Sequence, residues 1–203
     1  IMVEEVIQEI KTIEYRQLTI VDVGTGSGCI PISIAKTLSN SSPYKGEAGG
    51  GFAVYAIDIS PQALATARKN AKLHKTKIKF LHGDLLEPFI KNFKISKFQN
   101  SKIIITANLP YLTPQQFKQE PSIQHEPKLA LVAKKNGLEL YERLLKQIGL
   151  LTIDYRLLTI VYLEIDPSQT SSIKKLIKKY LPEAKIKINQ DLAGLDRVVI
   201  IKI

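Results

Sequence analysis

Two short stretches of this chain carry groups suited to chemistry. Residues 20–28 read Ile-Val-Asp-Val-Gly-Thr-Gly-Ser-Gly, an apolar run closed by three glycines in five residues. Residues 103–111 read Ile-Ile-Ile-Thr-Ala-Asn-Leu-Pro-Tyr, a second apolar run that stops at Asn108. Glycine at Gly24, Gly26 and Gly28 permits positive φ and a close approach of backbone to a ligand. A helix opening directly after such a loop offers unpaired N–H groups and the positive end of its dipole. Thr25 and Ser27 lie within that cradle. The spacing is G-x-G-x-G, and Cys29 stands where the dinucleotide pattern G-x-G-x-x-G would put its last glycine. No Walker lysine follows, so a nicotinamide dinucleotide and a nucleoside triphosphate both fit poorly. The carboxylate of a methionyl group could use the same N–H donors.

Two acids extend this pattern. Asp58 closes the run Ala56-Ile57-Asp58, and an acid at that place can accept both hydroxyls of a ribose. Taken alone it could equally be a helix-capping residue. Asp84 and Leu85 follow Gly83. Asp84 could accept the amino group of adenine while Leu85 packs on the ring, or Asp84 could be a plain turn residue.

The Asn108-Leu109-Pro110-Tyr111 loop is suited to an amino nitrogen whose lone pair is conjugated, which makes it a poor nucleophile. Such an NH2 group must be held by its hydrogens and aimed at the electrophile, here a sulfonium methyl. The Asn108 side-chain carbonyl and the Pro110 backbone carbonyl are two acceptors for those hydrogens, and the proline fixes the loop. Tyr111 offers a flat face to a planar group. Positioning of this kind is worth up to roughly 7–11 kcal/mol of a barrier. It needs no strong general base, because the proton can leave after transfer.

The elements that must hold these loops are legible too. Apolar, β-branched runs predict strands at 18–23, 53–58, 77–81, 102–107, 157–163, 184–189 and 198–203. Helical spacing groups Ile30, Ile34, Ala35 and Leu38; then Ala63, Leu64, Ala67 and Ala71, behind Ser60 as N-cap and Pro61 at the first helical position. It also groups Leu138, Tyr141, Leu144 and Leu145, and finally Ile173, Leu176, Ile177 and Tyr180. Strand–helix alternation predicts an α/β fold with a mostly parallel sheet covered on both faces. Residues 190–197 are too few for a crossover helix, so the last two strands should form an antiparallel hairpin. That is the Rossmann-like, seven-stranded arrangement of class I S-adenosylmethionine-dependent methyltransferases. One domain over 1–203 is expected, with a flexible polar, glycine-rich insertion at 39–51.

Composition narrows the remaining classes. The chain has 203 residues, 44% hydrophobic and 24% charged, which excludes a disordered, collagenous or coiled-coil protein. One cysteine, Cys29, excludes a disulfide framework, and His74, His82 and His125 lack metal-ligand spacing, so no metal is expected. No apolar run nears the roughly 20 residues of a membrane span, and no secretory signal is visible, so the expected location is the cytoplasm. The net charge is +10. Its lysines, such as Lys69, Lys72, Lys174, Lys175, Lys178 and Lys179, read either as solvated helix faces or as attraction to a polyanionic partner such as a ribosomal complex.

Seven blocks together resemble the HemK/PrmC-type protein methyltransferases: VDVGTGSGCIPISIA at 21–35, AIDISPQAL at 56–64, GDLLEP at 83–88, ANLPY at 107–111, EPKLAL at 126–131, NGLELYERL at 136–144 and DLAGLDRVV at 191–199. The last three are the more specific to that family. The resemblance implies methyl transfer from S-adenosyl-L-methionine to the glutamine side-chain amide of the Gly-Gly-Gln motif in class I peptide chain release factors. It implies cofactor contacts from Gly24 to Gly28, Asp58, Leu85 and Asn108, and a glutamine grip from Asn108, Leu109, Pro110 and Tyr111. Glu126-Pro127 and the 191–197 hairpin would shape or border the substrate entrance; the alternative for Asp196 and Arg197 is that they simply pair and buttress the final hairpin. A monomer is expected, reaching nucleic acid only through the translation machinery. Three departures stand out. Leu109 replaces the first proline of the usual Asn-Pro-Pro-Tyr, which should loosen the loop. Ala133-Lys134 stand where a glycine pair is common. The family's N-terminal helical domain is expected to be absent, Val3-Glu4-Glu5-Val6 resembling the stretch just after it. The alternative is a ribosomal RNA or DNA adenine N6-methyltransferase: Asn-Leu-Pro-Tyr is also the form found in ribosomal RNA adenine dimethyltransferases, which carry a helical RNA-binding domain after the sheet, and the DNA enzymes need a target-recognition region for base flipping.

Overall fold

The computed structural model describes residues 1–12, 17–41, 51–92, 101–155 and 158–203. Seven strands build one sheet: β1 (Gln17–Val23), β2 (Gly51–Asp58), β3 (Lys79–His82), β4 (Ser101–Ala107), β5 (Leu158–Glu164), β6 (Lys185–Gln190) and β7 (Asp196–Lys202). Their order is β3-β2-β1-β4-β5-β7-β6. The first five run parallel, and β7 lies antiparallel to both β5 and β6. The expected α/β architecture with its C-terminal antiparallel hairpin is therefore the observed one.

The central strands are apolar at nearly every position because both faces are covered. On one face, Leu18, Ile20, Ile104, Ile160 and Ile200 meet α1 (Met2–Lys11) and α2 (Cys29–Ser41). On the other, Val21, Ile103, Ile105, Val161 and Ile201 meet α4 (Glu87–Asn92), α6 (Glu139–Tyr155) and α7 (Thr170–Tyr180). Helix α3 (Pro61–Leu73) starts as the sequence predicts, with Ser60 Oγ accepting from the Ala63 N–H at 3.2 Å and Pro61 in the first turn. A short α5 (Pro114–Gln119) opens on a capping box between Thr113 and Gln116.

Three helices escaped the periodicity argument. α4 and α5 span six residues each, under two turns, too short to show a stripe. α1 buries Met2, Val6 and Ile10 at four-residue intervals, and its Glu9 carboxylate receives Lys102 at 3.3 Å and Lys202 at 2.7 Å. Of the insertion expected at 39–51, residues 42–50 lie outside the described residues; 39–41 complete α2 and Gly51 opens β2.

Register sets the stage for chemistry. Val23 stands opposite Ile57 on one side and Ala107 on the other, so β1, β2 and β4 release their chains at one level. The glycine loop, Asp58 and Asn108 leave the sheet along a single rim, at the carboxyl ends of the parallel strands.

Candidate active site

The loop after β1 folds around its glycines. Gly24, Gly26 and Gly28 all have positive φ, at 71°, 56° and 84°. A Cβ on Gly24 would come 2.8 Å from Leu109 Cδ2 and 3.9 Å from the Asn108 carbonyl oxygen, so the two candidate loops touch there. A Cβ on Gly26 would meet nothing within 4 Å, which leaves its outer side open.

Asp58 anchors this loop from β2. Its Oδ2 accepts from the Gly26 N–H at 2.8 Å, and its Oδ1 accepts from the Ser60 N–H at 2.8 Å. Each carboxylate oxygen retains a further lone pair. Below the loop, Asp22 is buried and accepts from Thr106 Oγ1 at 2.6 Å. Burial pushes its carboxyl up to about 7; the Thr106 and Thr25 hydroxyls pull the other way, and the nearby Asp58 charge adds to the rise. Thr25 Oγ1 is itself buried with no partner in bonding geometry, though close enough to favour the ionised form of Asp22. These features fit an adenosyl ligand with a charged amino-acid tail: an open glycine cradle, a half-buried carboxylate with spare acceptors, and an orphan hydroxyl.

Asp84 and Leu85 follow β3. Leu85 is buried at φ 48°, an uncommon conformation for a branched residue. Asp84 is engaged by Arg143 of α6, an ion pair the sequence did not suggest. Its second carboxylate oxygen remains for another donor.

The loop after β4 is braced at alternate positions. The buried Tyr141 hydroxyl of α6 accepts from the Leu109 N–H at 3.3 Å, and it faces the carbonyls of Leu109 and Glu164. Gln169 Nε2 donates to the Tyr111 carbonyl at 3.2 Å and to the Asn136 carbonyl at 3.0 Å. The Leu112 N–H donates to Leu131 O at 2.9 Å, and the Ala133 N–H to Leu112 O at 3.0 Å. Among the described residues nothing hydrogen-bonds the Asn108 side chain or the Pro110 carbonyl. Asn108 is exposed, Pro110 and Tyr111 are half-buried, and Leu109 is buried. The Tyr111 phenol is pushed up by burial and by the Glu164 charge, against the opposing pull of Arg197, so it stays protonated.

The hairpin of β6 and β7 reaches the site through Arg197, which lies close to the Tyr111 phenol. Arg197 donates to Asp191 through Nε and Nη2, each at 3.2 Å, and through Nη1 to the Ile165 carbonyl at 3.3 Å. The expected Asp196–Arg197 pair is not formed. Asp196 instead takes the Thr170 hydroxyl at 2.8 Å and Gln190 Nε2 at 3.2 Å, because neighbours on a strand face opposite sides. Glu126 and Pro127 are exposed in a turn preceding the 3-10 segment Lys128–Ala130. Among the described residues no group of three acids, histidines or cysteines could hold a metal, and no helix is long and apolar enough to cross a membrane.

The exits of β1, β2 and β4 thus bring the glycine loop, Asp58 and the Asn108–Tyr111 loop to one rim, and Asp84 and Leu85 follow the neighbouring β3. Sequence reasoning missed the supports behind them: Tyr141, Arg143 and Gln169. Tyr141 was marked only as part of an apolar helix face and, with Arg143, of the block 136–144; nothing local marked Gln169.

Comparison with known proteins finds methyltransferases. A family described as "Methyltransferase domain" matches residues 15–189. The release factor glutamine methyltransferase of Bacillus subtilis (strain 168) is 36% identical over 90% of this chain and 57% of its own length. That of Enterococcus faecalis is 34% identical over 90% of this chain and 59% of its own. The chain therefore spans under two thirds of these relatives. A putative methyltransferase from Streptococcus mutans, solved in complex with SAH, superimposes with a TM-score of 0.58 at 14% identity, covering 100% of this chain and 97% of that one.

Proposed function

Since the chain belongs to the methyltransferase-domain family, we propose that it methylates the side-chain amide nitrogen of the Gly-Gly-Gln glutamine in class I peptide chain release factors, with S-adenosyl-L-methionine as donor. The observation that carries this reading is the pattern of acceptors in the loop after β4. The carbonyls of Leu109, Tyr111 and Leu112 are engaged within the protein, whereas the Asn108 side chain and the Pro110 carbonyl, on either side of Leu109, have no partner among the described residues. Two open acceptors on a braced loop suit the two hydrogens of one NH2 group. The names of its relatives from Bacillus subtilis and Enterococcus faecalis support the same substrate.

S-adenosylmethionine supplies an electrophilic sulfonium methyl when bound. In this reading the methionyl carboxylate is received where the loop enters α2, by the Ser27 N–H and the Ser27 and Thr25 hydroxyls, since the N–H groups of Gly24, Thr25, Gly26 and Gly28 already donate to Ile57, Asp58 and Thr25. Asp58 accepts from the ribose hydroxyls, Asp84 from the adenine amino group, and Leu85 packs on the ring. Asn108 and Pro110 each accept one amide hydrogen, which aims the nitrogen and favours its pyramidal form. Tyr111 and Leu109 wall the glutamine, and Tyr111 acts as a surface, since its phenol stays neutral. The donor would supply its methyl group to the nitrogen so held, the sulfur–methyl bonding pair staying on sulfur, and the extra proton would pass from nitrogen to water. The protein would work in the cytoplasm as a monomer.

The test offers a class I release factor and ribosomal RNA side by side with methyl-labelled donor. Label should appear on the release factor and vanish when its Gly-Gly-Gln glutamine is replaced. Label in RNA with release factor untouched overturns the substrate assignment in favour of an adenine amine.

A further inference from the structure

Leu109 sits between the two open acceptors and joins three parts of the molecule. Its side chain is 3% exposed and packs on Gly24 of the glycine loop. Its N–H donates to the buried Tyr141 hydroxyl at 3.3 Å, and the same hydroxyl faces the carbonyls of Leu109 and of Glu164 at the end of β5. One phenol thus ties α6, the exit of β4 and the exit of β5 at a point adjacent to Asn108 and Pro110. Burial raises the Tyr141 pKa well beyond its ordinary value, so the oxygen keeps its hydrogen and both donates and accepts.

The identity of residue 109 decides what this contact does. A proline would fix φ near −65° and carry no N–H. Leucine leaves φ free and presents a donor that must be satisfied once buried. We infer that the Tyr141 hydroxyl is a positioning group for methyl transfer: it holds the Leu109 N–H, and through it keeps the Asn108 side chain and Pro110 carbonyl converged on one nitrogen. The restraint that a proline would build into the backbone is supplied here from a neighbouring helix. This rests on the amide-methylation reading above. Tyr141 touches no reacting atom, so its removal should disturb turnover and leave cofactor binding nearly intact.

The experiment is a double-variant cycle of Tyr141→Phe with Leu109→Pro. Methyl transfer to release factor is read as kcat and KM, cofactor affinity by calorimetry, and amide exchange of residues 107–112 by mass spectrometry. In the natural background, Tyr141→Phe should lower kcat about 10- to 100-fold while KM and cofactor Kd move less than about threefold. In the Leu109→Pro background, whatever its own rate, the same change should lower kcat less than about threefold, because no N–H remains to be held. Equal losses in both backgrounds, or an unchanged kcat, overturn the inference and leave Tyr141 as core packing. Should Leu109→Pro fail to fold or turn over, exchange decides: Tyr141→Phe should speed exchange at 107–112 about 10-fold or more with α6 peptides unchanged. Unchanged exchange there overturns the clamp. Absent methylation by the natural protein would sink the substrate assignment alone, since the exchange result still judges the clamp.

Discussion

At the scale of single residues, Asn108 and Asp58 should separate turnover from binding. Asn108→Ala removes one of the two open acceptors. Methyl transfer should fall about 100-fold or more, as when one preorganised polar contact is lost from an active site, with cofactor affinity within about threefold by calorimetry. Asp58→Ala should act the other way, weakening cofactor binding roughly 10- to 100-fold, the worth of a charge-assisted hydrogen bond or two. It also strips the partners from the Gly26 and Ser60 N–H groups, so Asp58→Asn, which keeps an acceptor oxygen, should lose less. Unchanged affinity in the alanine variant would remove the ribose role. Both residues were legible in the sequence because their chemistry shows in residue type and in their place after an apolar run. Gln169 and Arg143 were not. They reach the rim from 58 and 59 positions away, and no local pattern encodes so distant a partnership.

At the scale of elements, the turn before α6 is the most constrained piece. Gly137 has φ +81°, and a Cβ there would stand 1.9 Å from the Tyr111 carbonyl oxygen and 2.4 Å from Gln169 Nε2. Gly137→Ala should therefore cost stability of roughly 1–3 kcal/mol from backbone strain, read by urea unfolding. It should also displace the Tyr111 carbonyl, and so reduce methyl transfer more than cofactor affinity. A variant with natural turnover would show that this turn does not support the loop after β4. Strands and long helices were legible here because their periods repeat several times. The six-residue α4 and α5 hold fewer than two turns, and α1 hid behind its acidic residues until the sheet gave Met2, Val6 and Ile10 a surface to cover.

At the scale of the whole molecule, buried acids set the response to pH. Asp22 keeps its proton in the folded state up to about 7, against 3.8 as the ordinary value. The contribution of this group to stability is therefore fully present below about pH 4 and is lost as pH rises through about 7. Burial moves Glu164 in the same direction. Urea midpoints should be lower at pH 8 than at pH 5, and Asp22→Asn, which mimics the protonated acid, should shrink that difference. An unchanged difference would show that Asp22 is ionised in the fold at both values. Composition and alternation disclosed the architecture, down to the antiparallel ending, because a connection as short as 190–197 allows nothing else. They did not disclose that Arg197 would choose Asp191 over its neighbour, which depends on which face each strand residue takes.

The flush alignment of β1 with β2 and β4 turns the sheet into a ruler for the reaction. One residue inserted within β4 would advance its exit by about 3.3 Å and reverse the side on which every later side chain emerges. The proposed amide grip would then miss the proposed donor cradle although every atom of both survived. This protein should accordingly forgive long additions to its outer connections and punish a single-codon insertion or deletion in its central strands.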